Sequence, residues 1–82
     1  MNKDLTIKQF IQAIDDSISE TRDSIRKAVI LLNQENDIEE KERLRLIIYG
    51  FKLDISRYER QKIMLNKVMR EHGLAIYKQL EN

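Results

Sequence analysis

The chain contains no cysteine, no proline and no tryptophan, and only two of its 82 residues are glycine. Without cysteine there is no disulfide and no thiolate metal site, which permits a reducing compartment such as the cytoplasm. Because proline and glycine are the residues that most often interrupt helices, their scarcity leaves the helical state nearly unopposed. These absences favour an all-helical, cytoplasmic protein.

Long apolar runs are also missing. The longest, residues 28–32, is far shorter than the ~20 residues that cross a bilayer. The first residues lead into an amphipathic pattern, whereas a signal peptide has a continuous apolar stretch. We therefore expect a protein without a membrane span.

Recognisable catalytic and ligand-binding patterns are absent as well. The single histidine, His72, has no second histidine or cysteine at metal-ligand spacing, and the serines have no base to activate them. The acidic segment 33–37 lacks the glycine and the alternating oxygen ligands of a calcium loop. We expect no catalytic residue, no metal, no cofactor and no enzymatic activity.

What the sequence does contain is apolar residues at alternating spacings of four and three, the pattern of helices that pack on one another. We call the two runs the seams. Only Thr21 is polar in the first seam, which comprises Ile7, Ile11, Ile14, Ile18, Thr21, Ile25, Ala28 and Leu32. Only Lys62 is charged in the second, which comprises Leu44, Ile48, Phe51, Ile55, Tyr58, Lys62, Leu65 and Met69.

The seams predict helices over about 7–33 and 38–72, joined by a turn at 34–37. Thr6 and Gln9 have the spacing of a capping box at the first start, and Asn36 or Asp37 can cap the second. Gly73 followed by Leu74 is typical of a helix ending, which predicts a short third helix over about 74–80. Residues 1–82 should form one helical domain.

If the chain reverses at 34–37, the two helices form a long antiparallel hairpin. Small Ala28 and Thr21 then face bulky Leu44 and Phe51, a size alternation that lets the layers interdigitate. Lys62 falls opposite Ile11, where it either fixes the register or extends its amine to solvent while Ile63 shares its burial.

Near the turn both helices are more apolar than one seam requires. A two-helix contact cannot cover every side of the stretches 28–32 and 46–53, and proteins rarely leave such surfaces exposed. We predict an interface formed by Val29, Ile30, Leu31, Leu46, Ile47, Tyr49, Gly50 and Leu53. A homodimer that joins two hairpins into a helical bundle would cover it, and so would another protein.

These features predict a protein-binding regulator, adaptor or inhibitor. The abundance of Ile, Lys and Asn is typical of AT-rich coding sequence, as in small bacterial or phage accessory proteins.

The charge distribution supports an alternative function. Residues 1–40 carry five basic and nine acidic side chains, whereas 41–82 carry ten basic and five acidic ones. Opposite charges on neighbouring helices can simply attract each other. A basic face could instead follow the phosphates of a nucleic acid, using Arg43, Lys52, Arg57, Arg60 and Lys67.

Overall fold

The chain folds into a two-helix hairpin. The computed structural model describes the backbone of residues 3–81 and the side chains of residues 7–71. Helix α1 spans Lys3–Gln34 and helix α2 spans Ile38–Glu81. The two helices pack against each other along their length and, because only three residues connect them, run antiparallel. The molecule measures 67 × 16 × 15 Å, and its length matches the about 66 Å expected for α2 at 1.5 Å per residue.

The seams hold the two helices together, as predicted. Ile18, Ala28, Leu44 and Ile48 are buried, and the other twelve seam residues are half-buried. The hydroxyl of Thr21 donates to the carbonyl oxygen of Ser17 at 2.7 Å, so the burial of this residue leaves no donor unpaired. None of the described side chains is completely enclosed, because a two-helix contact is only one layer deep.

The turn is held by hydrogen bonds that its own acidic side chains accept from backbone N–H groups. Oε1 of Glu35 accepts from the backbone N–H groups of Asn36 and Asp37, both at 3.1 Å. Oδ1 of Asp37 accepts from the N–H of Glu39 at 3.2 Å, and the carbonyl of Asp37 accepts the first helical hydrogen bond, from Lys41. Asp37 is therefore the N-cap of α2, one of the two residues predicted for that role.

Both helices are longer than predicted. α1 begins at Lys3, so Thr6 lies inside the helix and does not cap it. Residues 3–6 contain neither proline nor glycine, so nothing in the sequence opposes a helix there. A capping-box spacing does not mark the start of a helix when the residues before it can themselves be helical.

The separate third helix over 74–80 is not observed. The backbone of α2 continues through Gly73 to Glu81. An interior glycine lowers the stability of a helix by about 1 kcal/mol relative to alanine, and a long helix tolerates that loss. The predicted ending would instead require a residue in the left-handed conformation.

α2 is twelve residues longer than α1 (44 against 32), so about 18 Å of it extends past the start of α1. The side chain of His72 and those after it lie outside the described residues.

Candidate interaction surface

The residues beside the seams form two flanks along the hairpin. In an antiparallel pair, each row of residues at seven-residue spacing lies next to the corresponding row of the other helix. One row pair, the charged flank, comprises Lys8, Asp15, Arg22 and Val29 on α1 with Arg45, Lys52, Glu59 and Asn66 on α2. The other, the neutral flank, comprises Phe10, Ser17, Ser24 and Leu31 on α1 with Ile47, Asp54, Gln61 and Val68 on α2.

Contacts in the structure confirm that these rows adjoin. On the charged flank, Nη2 of Arg22 lies 3.6 Å from Oε1 of Glu59. Towards the turn on the same flank, Val29 lines an open groove with Arg45, Lys52 and Tyr49. On the neutral flank, at the end far from the turn, a second groove is lined by Phe10, Ile14, Gln61, Met64 and Leu65. It is mostly apolar because three aliphatic side chains and one aromatic ring form its walls.

Lys62 is anchored by an ion pair across the helices. Its Nζ lies 2.7 Å from Oδ1 of Asp15, and both side chains remain more than one-third exposed. Helical side chains lean towards the N-terminus of their own helix, which for α2 is the turn end. Lys62 therefore reaches one helical turn past Ile11, to Asp15. Ile63 does not share this burial, because 66% of it is exposed.

Seven of the eight predicted interface residues are exposed, as the excess of apolar side chains implied, and Gly50 is half-buried. We call the seven apolar ones the apolar collar: Val29, Ile30, Leu31, Leu46, Ile47, Tyr49 and Leu53. At 100° per residue they encircle the turn end and do not form a single patch. Val29 and Tyr49 border the charged flank, Leu31 and Ile47 belong to the neutral flank, and the other three lie on outer surfaces.

Gly50, the eighth predicted residue, lies beside the neutral flank. It is three residues from Ile47 and from Leu53, so these larger side chains border a notch at its position. A Cβ built at Gly50 would have no atom of the described residues within 4 Å, apart from its own stretch of helix. The glycine is therefore not required for the approach of α1.

Other exposed apolar residues were not predicted. Ile38 is exposed at the start of α2, and Phe10 and Met64 are exposed at the groove far from the turn. The longer apolar runs 28–32 and 46–49 had marked the collar, whereas Phe10 adjoins only Ile11 and Met64 lies in the shorter run 63–65. Grouping the residues of α1 at seven-residue spacing would have placed Phe10 in the same row as Leu31.

The basic residues of the alternative function lie on more than one side of α2. Arg43, Arg57, Arg60 and Lys67 face outward, where Arg43 pairs with Glu40 at 3.5 Å and Nε of Arg60 donates to the carbonyl of Ser56 at 3.5 Å. Lys52 lines the groove on the charged flank instead. Four of the five predicted residues thus share an outer stripe, and Lys52 lies apart from them.

The described residues offer no cluster of metal ligands and no membrane-spanning helix. Within them, no group of three or more His, Cys, Asp or Glu side chains is placed to hold a metal ion. Neither helix, over its described residues, is long and apolar enough to cross a membrane.

Comparison with known proteins identifies no relative. No protein-family model matches the chain, and no curated protein and no solved structure shows significant similarity to it.

Proposed function

We propose that the protein is a non-enzymatic helical interaction module, a regulator, adaptor or inhibitor in the cytoplasm that docks its apolar collar on another macromolecule. The exposure of the collar carries the proposal. Seven large apolar side chains lie within two short stretches of the hairpin, each at least 38% exposed. Burying them would remove a large apolar area from water, the main favourable term in protein association.

The proposal also includes a homodimer. A two-fold contact presents the same surface on both subunits, so one self-complementary face is enough to form a four-helix bundle. The thin core supports this part of the proposal, because only four side chains of the described protomer are buried. Small domains with such limited cores are commonly stabilised by association.

Substitution of the outer collar, the three collar residues Ile30, Leu46 and Leu53 on the outer surfaces, tests the docking function. Leu46 and Leu53 are 71% and 46% exposed, so aspartate at either position should leave the hairpin folded. We expect L46D and L53D baits to lose a partner that the unmodified chain captures from its native host, with little dependence on salt. Q12A, an exposed substitution on α1 remote from the collar, is the control and should retain the partner. Retention of that partner by both leucine variants would refute docking through the collar.

A nucleic-acid-associated function is the second candidate, favoured by the outward position of Arg57, Arg60 and Lys67 along one stripe of α2. Leu46 and Leu53 interrupt the same side of the helix nearer the turn, which weakens the continuity of the basic face. If this function is correct, the chain should shift a nucleic acid in a gel, and the affinity should fall steeply with salt because counterions are released. Loss of that shift in R57A/R60A would assign it to the stripe.

A further inference from the structure

The two flanks of the hairpin differ sharply in charge. Six of the eight residues in the rows of the charged flank are ionised, whereas Asp54 is the single ionised residue in the rows of the neutral flank. Depletion of charged residues is the compositional signal of an interface core. Covering the neutral flank would therefore desolvate few charges, while covering the other flank would desolvate the ion pairs of Arg22 and Lys62.

The arrangement of sizes along the neutral flank also suits a packed face. Its middle consists of Ser17 and Ser24 on α1 beside Gln61 and Asp54 on α2, and large apolar residues lie at both ends: Phe10 and Val68 far from the turn, Leu31 and Ile47 near it. The hydroxyl of Ser17 donates to the carbonyl oxygen of Ala13 at 3.0 Å, so covering it leaves no donor unpaired. The two serines permit close approach to α1 at the centre, and the ends supply apolar area.

The dimensions of the face fit a second copy of the chain. It is two helices wide, about 16 Å, and its α1 row runs from Phe10 to Leu31, about 32 Å at 1.5 Å per residue. The resulting footprint of about 500 Å² per copy, roughly 1,000 Å² for two copies, lies at the lower end of the area expected of a specific interface. A single helix would cover only half of this width, whereas another hairpin of equal length covers all of it.

We propose that the neutral flank is the homodimerisation face and that the charged flank and outer collar stay open to the partner. This assignment rests on the proposed function, in which other chains cover the exposed apolar surface. The notch at Gly50 lies at the edge of the same face, so the second copy supplies the close approach that α1 does not. Of the collar residues, Leu31 and Ile47 then serve dimerisation, and the other five remain for docking.

Two aromatic residues with equal exposure provide a matched test. Phe10 on the neutral flank is 60% exposed and Tyr49 beside the charged flank is 61% exposed. We expect F10E to convert the dimer to a monomer in light scattering and Y49E to remain a dimer, with both retaining the helical circular dichroism of the unmodified chain. G50L should also weaken the dimer, although leucine favours the isolated helix over glycine. A dimeric F10E together with a monomeric Y49E would overturn the assignment.

Thiol protection maps the face independently, because the natural chain has no cysteine. Ser24 lies in the middle of the neutral flank, and Ser19 lies exposed on the opposite side of α1. The cysteine of S24C should react with a maleimide more slowly as protein concentration rises, whereas that of S19C should react at a constant rate. A rate at S24C that does not change with protein concentration would refute the proposal even if L46D still loses its partner, so its failure is distinguishable from failure of docking.

Discussion

At the scale of single residues, the ion pair between Lys62 and Asp15 is the feature that sequence alone placed least well. A lysine in a seam was expected to extend to solvent or to set the register, and no acidic partner was predicted for it. The structure joins the two at 2.7 Å because the lysine leans towards the turn end. The direction of a long side chain cannot be obtained from heptad position alone.

The energetic contribution of this pair should be modest. D15N should lower the free energy of unfolding by about 0.5 to 1 kcal/mol, since both side chains are partly exposed and screened by solvent. Urea titration at low and high salt measures the change, which should shrink as salt increases. The control is D16N, which likewise removes one negative charge, but from a carboxylate that accepts an intrahelical hydrogen bond from Gln12. A larger loss in D16N than in D15N would contradict a role for the cross-helix pair.

At the scale of the helices, periodicity was sufficient to predict the hairpin and its contact surface. All sixteen seam residues are buried or half-buried, because apolar spacing on a helix directly sets which side faces its neighbour. The ends were less predictable. Gly73 was expected to stop α2, but glycine only weakens a helix, and whether it ends one depends on the residues and contacts around it.

Ile18, a buried seam residue near the middle of α1, tests the packing of the two helices. I18D should unfold the chain or reduce its stability by about 3 kcal/mol or more, because it replaces an apolar contact with a charge that has no partner. The adjacent exposed substitution S19D should change stability by no more than about 0.5 kcal/mol. Circular dichroism during heating measures both. An unchanged melting curve for I18D would rule out the seam as the source of stability.

At the scale of the whole molecule, the protomer is a rod with a shallow core and a collar of exposed apolar side chains. The sequence predicted the collar, since the number of apolar residues near the turn exceeds what one neighbouring helix can cover. It did not separate the neutral flank from the charged one. That distinction requires the rows of both helices to be compared in their antiparallel register.

The central claim is that a second copy of the chain covers part of this apolar surface. Light scattering of the unmodified protein during size-exclusion chromatography, at tens of micromolar, tests it most directly. We predict about twice the protomer mass of 9.8 kDa, with a melting temperature that rises with concentration because dimerisation stabilises the folded state. A mass equal to one protomer, together with a melting temperature independent of concentration, would contradict the account.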